Sequence, residues 1–207
     1  MDTVVNEAKT LIFSDAIAGT LGEDVDGRKP DNNVIDANWL VTNGAWEYGD
    51  NGMIAGSANN EIQVDFKSLN VFGEVDIFIT EEGVQRVGIA ENGGLNNESW
   101  RVSVIGDGNG TNTATLTLVK RKANANEGVG VSGASFKIPD NGIVTLKFLH
   151  KAGNDGLSAW VFDRGVDGVS DTGSSGALTN AAIGFRPLSS VDDGASEIKS
   201  VKLWEVL

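Results

Sequence analysis

Apolar and polar residues alternate with a period of two along most of this chain, and helical periodicity is almost absent. The alternation is clearest in residues 61–66, 71–80, 102–104, 113–119, 143–149, 157–162, 182–185 and 198–206. Successive side chains of a strand point to opposite faces, so this pattern predicts strands with one face in a core.

Turn signals separate these stretches. Asp50-Asn51-Gly52 and Asp140-Asn141-Gly142 supply the positive φ angles that tight hairpins need. The chain has 27 Gly and only 3 Pro, a composition typical of many tight turns. We therefore predict an all-β fold, a two-sheet antiparallel jelly-roll sandwich. A single domain over residues 11–207 would follow an N-terminal arm, residues 1–10, that orders against a partner.

Charge and composition narrow the possible partners. The formal net charge of -13 disfavours nucleic acid, because an acidic surface repels phosphate backbones. The absence of cysteine excludes disulfides, thiolate nucleophiles and Cys-ligated metals. No apolar run approaches the roughly 18 residues that a membrane span needs, and residues 1–9 lack a signal-peptide pattern. We expect the protein to be made in the cytoplasm without a signal peptide. We do not expect it to insert into a membrane.

Candidate catalytic groups are few. His150 is the one histidine and is expected at the surface, where a strand ends. Glu74 and Asp76 lie two residues apart in a predicted strand, so both point to one face. They resemble the opening of the E-x-D-x-x-E strand of laminarinase-like glycoside hydrolases, but Ile79 and Thr80 stand where the third acid would be. We predict a solvent-facing acidic pair and a protein that is not an enzyme.

Three oxygen-rich segments could bind Ca²⁺. They are residues 107–113, residues 24–26, and a loop containing Asp163, Asp167 and Asp171. The first does not fit an EF-hand, which needs Gly at the sixth and Glu at the twelfth position. Calcium therefore stays possible, and the metal ligands are unknown.

The five tryptophans are candidates for stacking on sugar rings, because an exposed indole presents a flat apolar face. Most lie in alternating strands and are expected in the core. Trp100 follows the polar residues 96–99 and is the tryptophan predicted to be exposed and carbohydrate-binding.

The N-terminal third contains a series of short motifs. They are Phe13-Ser14-Asp15, residues 18–21, residues 26–31, residues 39–41, residues 44–47 and Asn51-Gly52. This pattern, with the closing strand 201–206, resembles concanavalin A-like and LamG-like jelly-roll modules. Such modules occur in phage structural proteins and in bacterial surface and carbohydrate-binding proteins. The resemblance implies two stacked antiparallel sheets, and it does not imply an activity.

Three functional hypotheses follow. The first is a non-enzymatic phage virion accessory protein, a head decoration or a tail or fibre component. It would form homo-oligomers and dock onto capsid or tail subunits. The second is a carbohydrate-binding module or adhesin that acts outside the cell and binds surface glycans. The third is a glycoside hydrolase that uses Glu74 and Asp76.

Overall fold

The computed structural model contains strands and no helix among the residues that it describes. The described residues are 8–92, 98–122, 125–133, 135–151, 156–162, 164–169, 181–187 and 196–207. Within them, no helix is long and apolar enough to span a membrane. The predicted all-β fold class is confirmed.

One sheet has nine strands, arranged in the order β15-β14-β13-β7-β17-β1-β2, with β5 beside β17 and β4 beside β5. The strands are β1 (Lys9–Asp15), β2 (Asn32–Asn33), β4 (Trp46–Tyr48), β5 (Met53–Ala55), β7 (Val71–Ile79), β13 (Ile143–Lys151), β14 (Gly156–Val161), β15 (Arg164–Val169) and β17 (Ser196–Val206).

The other sheet has eight strands in the order β11-β10-β9-β8-β16-β6-β3, with β12 beside β10. The strands are β3 (Leu40–Asn43), β6 (Glu61–Asp65), β8 (Val84–Asn92), β9 (Glu98–Gly106), β10 (Thr113–Lys122), β11 (Ala125–Ser132), β12 (Phe136–Lys137) and β16 (Ala182–Pro187). The described strand pairs of both sheets are antiparallel.

The core lies between the two sheets and follows directly from the alternation. Val75 and Ile77 of β7 share one buried cluster with Val102 and Val104 of β9. Burying such a side chain contributes about 1.5–3 kcal/mol relative to leaving it exposed. The intervening residues of each strand point away from the core, so each sheet also has an outer face that is free to carry chemistry.

The N-terminal motif residues are joined by a buried polar network. Asp15 is only 1% exposed, and its Oδ1 accepts a hydrogen bond from Arg28 Nη2 at 2.7 Å. Its Oδ2 accepts from Trp39 Nε1 at 2.6 Å and pairs with Arg28 Nη1. The Trp39 ring packs edge-on against Phe13, with 5.9 Å between ring centroids. Burial lowers the pKa of Arg28, but the hydrogen bond and charge of Asp15 outweigh it, so that the pKa is raised.

His150 occupies a different place from the one predicted. It is fully buried, because it shares the inward-facing side of β13 with Leu146 and Phe148. Its Nδ1 lies 2.6 Å from the carbonyl oxygen of Leu69, a geometry in which Nδ1–H donates. The predicted surface histidine is therefore wrong, and His150 is a hydrogen-bonded core residue.

The N-terminal arm falls largely outside the described residues, since residues 1–7 are not among them. Lys9 and Thr10, the last part of the predicted arm, belong to β1 and pair with Val206 and Glu205 of β17. The role of residues 1–10 in docking stays a prediction.

Candidate functional site

A cleft on the outer face of the nine-stranded sheet brings together carboxylate, hydroxyl, ammonium and aromatic side chains. Its volume is about 420 Å³, within the range of sites that hold small molecules. The lining residues are Glu74, Asp76, Thr145, Lys147, Trp160 and Phe162. We call it the acidic-aromatic cleft.

Strand register explains why these residues meet. Lys147 of β13 is the cross-strand partner of both Glu74 of β7 and Trp160 of β14. Thr145, two residues before Lys147, is the partner of Asp76. Residues two apart on a strand share a face, so two neighbouring rows of side chains form the floor of the cleft.

The two carboxylates are held in place by fixed partners. Glu74 Oε1 lies 3.2 Å from Lys147 Nζ. Asp76 accepts a hydrogen bond from the Thr145 hydroxyl at 2.6 Å and another from the Ser200 hydroxyl at 2.7 Å. A carboxylate has about four acceptor positions, so both groups can accept further hydrogen bonds from a bound hydroxyl.

Trp160 forms the aromatic wall and is held by a second aromatic residue. Its ring is tilted by 42° against Phe72, with 6.1 Å between the ring centroids. Trp204 packs on the other side of Phe72 at 5.5 Å and 43°, and Lys9 Nζ lies 3.7 Å above the Phe72 ring. Trp160 and Trp204 are partly exposed and lie in similar surroundings, but only Trp160 lines the cleft.

Phe162 forms the rim and has an unusual backbone conformation. Phe162 is 59% exposed. Its φ angle of 53° lies in the left-handed region that bulky residues avoid. The ring contacts Phe136 edge-on at 6.0 Å. Strained residues of this kind concentrate at binding and catalytic sites, which is consistent with a functional role for this exposed ring.

The sequence predicted one part of this site and missed another. Glu74 and Asp76 form the predicted outward-facing acidic pair. Trp160 was not singled out among the five tryptophans, although it alternates with Val161 and shares the outward side of β14 with Ser158. That alternation was the signal that could have identified it.

Trp100 does not have the exposure that was predicted. It is only 2% exposed and belongs to the core cluster, because it shares the inward side of β9 with Val102 and Val104. Lys120 Nζ lies 5.6 Å from the centroid of its ring. The predicted exposed stacking surface at Trp100 is therefore wrong, and the acidic-aromatic cleft does not contain this residue.

The oxygen-rich segments have other partners where they are described. Asp26 accepts a hydrogen bond from the backbone of Val41 at 2.8 Å, and Asp107 accepts from the hydroxyls of Thr113 and Thr115. Among the described residues, no group of three or more His, Asp or Glu side chains could hold a metal ion. Asp163 and Asp171 lie outside the described residues, as does the side chain of Asp167.

Comparison with known proteins gives a fold and not a family. No family model and no curated protein matches the sequence. A protein of unknown function with a galectin-like fold from Bacillus subtilis superposes with a TM-score of 0.58 at 12% identity, over 91% of this chain and 98% of that one. The fold is a galectin-like jelly roll. Two further structures support the same conclusion.

The first is the carbohydrate-binding module CBM66 from Bacillus subtilis, with a TM-score of 0.51 at 14% identity over 90% of this chain and 97% of that one. The second is the botulinum neurotoxin serotype D binding domain, with a TM-score of 0.56 at 11% identity. The alignment covers 95% of this chain and 48% of that one. At such identities the likeness shows a shared fold, consistent with the concanavalin A-like resemblance of the sequence.

Proposed function

We propose that this protein is a non-enzymatic glycan-binding module and that the acidic-aromatic cleft is its binding site. The observation that carries the proposal is the pairing of Trp160 and Phe162 with Glu74 and Asp76 around one cleft. A sugar ring has an apolar face of C–H groups and an edge of hydroxyls. The cleft offers partly exposed aromatic rings for the first and fixed acceptors for the second.

The charges of the cleft favour a neutral sugar. Glu74 and Asp76 carry two negative charges, and Lys147 supplies one positive charge in return. The carboxylate group of a uronic or sialic acid would meet like charges here. A neutral hexose, by contrast, donates its hydroxyl hydrogens to the two carboxylates and accepts from Lys147. Hydrogen bonds to charged groups contribute about 1.5–3 kcal/mol each.

The same geometry favours binding over glycoside hydrolysis. The third acid of the laminarinase-like pattern is replaced by Ile79, which is buried in the core cluster on the opposite side of β7. An acid at that position would not reach the cleft. Both carboxylates present in the cleft are engaged by Lys147, Thr145 and Ser200, an arrangement suited to orienting a ligand.

The fold gives general support to this proposal. One of the similar structures is named as a carbohydrate-binding module.

The virion role predicted from the sequence, with docking onto capsid or tail subunits as a homo-oligomer, is compatible with glycan binding. It stays a prediction, and sedimentation of the native source material tests it. A fixed stoichiometry on particles supports the virion role, and a free monomer in the supernatant contradicts it.

The binding proposal is tested with two matched tryptophan variants. Trp160→Ala and Trp204→Ala each remove a partly exposed indole that packs on Phe72, so both should lower the unfolding temperature by similar amounts. A neutral glycan is first selected on an array, and its affinity is then measured by calorimetry. We expect Trp160→Ala to weaken binding by about 30-fold or more, the scale of a hot-spot residue, and Trp204→Ala to leave it nearly unchanged.

Two results would contradict the proposal. One is the absence of any neutral glycan ligand on the array. The other is an equal loss of affinity in both variants, which would place binding outside the acidic-aromatic cleft.

A further inference from the structure

The outer face of the eight-stranded sheet carries four arginines on four adjacent strands. Arg186 lies on β16, Arg86 on β8, Arg101 on β9 and Arg121 on β10. We call these residues the arginine cluster. It is separate from the acidic-aromatic cleft, which lies on the other sheet.

Register brings the four guanidinium groups together. Arg86 and Arg186 are direct cross-strand partners. Arg101 is paired with Gly88, two residues from Arg86, and Arg121 is paired with Ser99, two residues from Arg101. Diagonal neighbours of this kind are roughly 7–8 Å apart, within reach of long side chains.

The cluster is under electrostatic stress. Burial, followed by repulsion from Arg101 and Arg186, lowers the pKa of Arg86 to about 9. Burial and repulsion from Arg121 and Arg186 lower the pKa of Arg101 to about 10. Both groups are still charged at neutral pH, so the folded protein holds like charges together in a partly buried region.

One carboxylate among the described residues offsets part of this charge. Arg186 donates to Glu61 Oε1 at 2.7 Å and to Asn59 Oδ1 at 2.9 Å. Arg101 is only 8% exposed, and the buried Nε atoms of Arg86 and Arg101 have no hydrogen-bond partner in the described part of the chain. Buried donors without partners cost free energy that a bound acceptor would recover.

We propose that Arg86 and Arg101 bind an oxyanion, a sulfate, phosphate or carboxylate group, on the outer face of the eight-stranded sheet. Guanidinium groups hold such anions through two parallel N–H···O bonds, and burial strengthens the attraction. The overall charge of -13 makes this local concentration of positive charge a specific feature of one face. The anion is either a free inorganic ion or an acidic group of a polysaccharide.

Thermal unfolding of the full chain tests the site. Sodium sulfate at low millimolar concentration is compared with sodium chloride at equal ionic strength, and dextran sulfate is compared with neutral dextran. We expect sulfate or dextran sulfate to raise the unfolding temperature beyond its control. A response to sulfate alone identifies a site for free anions, and a stronger response to dextran sulfate identifies an acidic polysaccharide.

The variants Arg86→Gln and Arg101→Gln should change both the unfolding temperature and the affinity for the anion. Without anion each should unfold about 2–4 °C higher than the parent, because repulsion is relieved. Each should also weaken anion binding about tenfold or more, the value of a lost charged hydrogen bond. Lys202→Gln removes one positive charge from the exposed face of the other sheet and should leave the anion response unchanged.

A parent protein that responds to sulfate no more than to chloride, and to dextran sulfate no more than to dextran, overturns the site, as does an Arg101→Gln variant that responds like the parent. If the arginine variants do not fold, the parent alone decides the question. Titration with sulfate should then shift the Nε–Hε resonances of Arg86 and Arg101 in ¹⁵N spectra, and resonances that stay in place contradict the proposal.

Discussion

The outer faces of the two sheets have the same origin and different chemistry. Both consist of the residues that alternate with a buried row, such as Glu74 between Gly73 and Val75, or Arg101 between Trp100 and Val102. On the nine-stranded sheet each charge of the cleft has a nearby partner, and a partly exposed indole lies among them. On the eight-stranded sheet four guanidinium groups lie near one carboxylate, Glu61, in the part of the chain that the structure describes. The sandwich fixes where side chains point, and charge balance decides which ligand each face suits.

The largest expected effect is a loss of stability that abolishes binding at both faces together. In Asp15→Ala, Arg28 and Trp39 lose their shared buried acceptor. Because the partly buried Arg28 keeps only the more distant Asp31, at 3.9 Å, the free energy of unfolding should fall by roughly 3–5 kcal/mol. Urea unfolding measures this loss, and glycan and anion binding should disappear at the same urea concentration. Loss of one activity before the other would show that the faces belong to separately folding parts.

Substitutions of Phe162 should have an effect of intermediate size. They distinguish backbone strain from ligand binding at the rim of the cleft. Phe162 has a positive φ angle, which glycine adopts readily and alanine does not. Phe162→Gly should therefore be more stable than Phe162→Ala by about 1 kcal/mol. Both variants should lose affinity for the neutral glycan to the same extent, and both should keep the anion response. Calorimetry on the two variants checks this, and equal stability would mean that the backbone changes conformation when the ring is removed.

The smallest effect tests whether Asp76 must be oriented to bind a sugar. Thr145→Val and Ser200→Ala each remove one hydroxyl that donates to Asp76, and each should cost about 1 kcal/mol of stability. Only Thr145 lines the cleft. Thr145→Val should thus weaken glycan binding by up to about tenfold, and Ser200→Ala by less. A larger loss in Ser200→Ala would contradict direct hydroxyl contact by Thr145.

Alternation alone predicted much of the fold and the acidic pair of the cleft. The pattern of residues 143–149 predicted a strand and matches β13, and the spacing of Glu74 and Asp76 placed both on one face. The exposure assigned to Trp100 rested on the polar residues before it. Trp100 lies two residues before Val102 on β9, so both side chains point into the core. This alternation along the strand decides burial. For Trp160 the same rule gives the outer face.

The arginine cluster could not be predicted from local pattern. Its members lie at positions 86, 101, 121 and 186, and nothing in the chain around any one of them indicates the others. They meet because β16 pairs with β8, β8 with β9 and β9 with β10 in particular registers. A shift of one residue in any of these pairings would turn side chains to the opposite face. Such long-range register depends on the whole core.

The position of β17 has a consequence for how the chain is made. This strand, Ser196–Val206, lies between β7 and β1 in the middle of the nine-stranded sheet. During synthesis β1 and β7 emerge long before the strand that joins them, and both keep unpaired edges until it appears. Pairing across such sequence distances is slow, and open strand edges invite association with other chains. Emergence of β17 from the ribosome is therefore the step that allows β1 and β7 to lose these open edges.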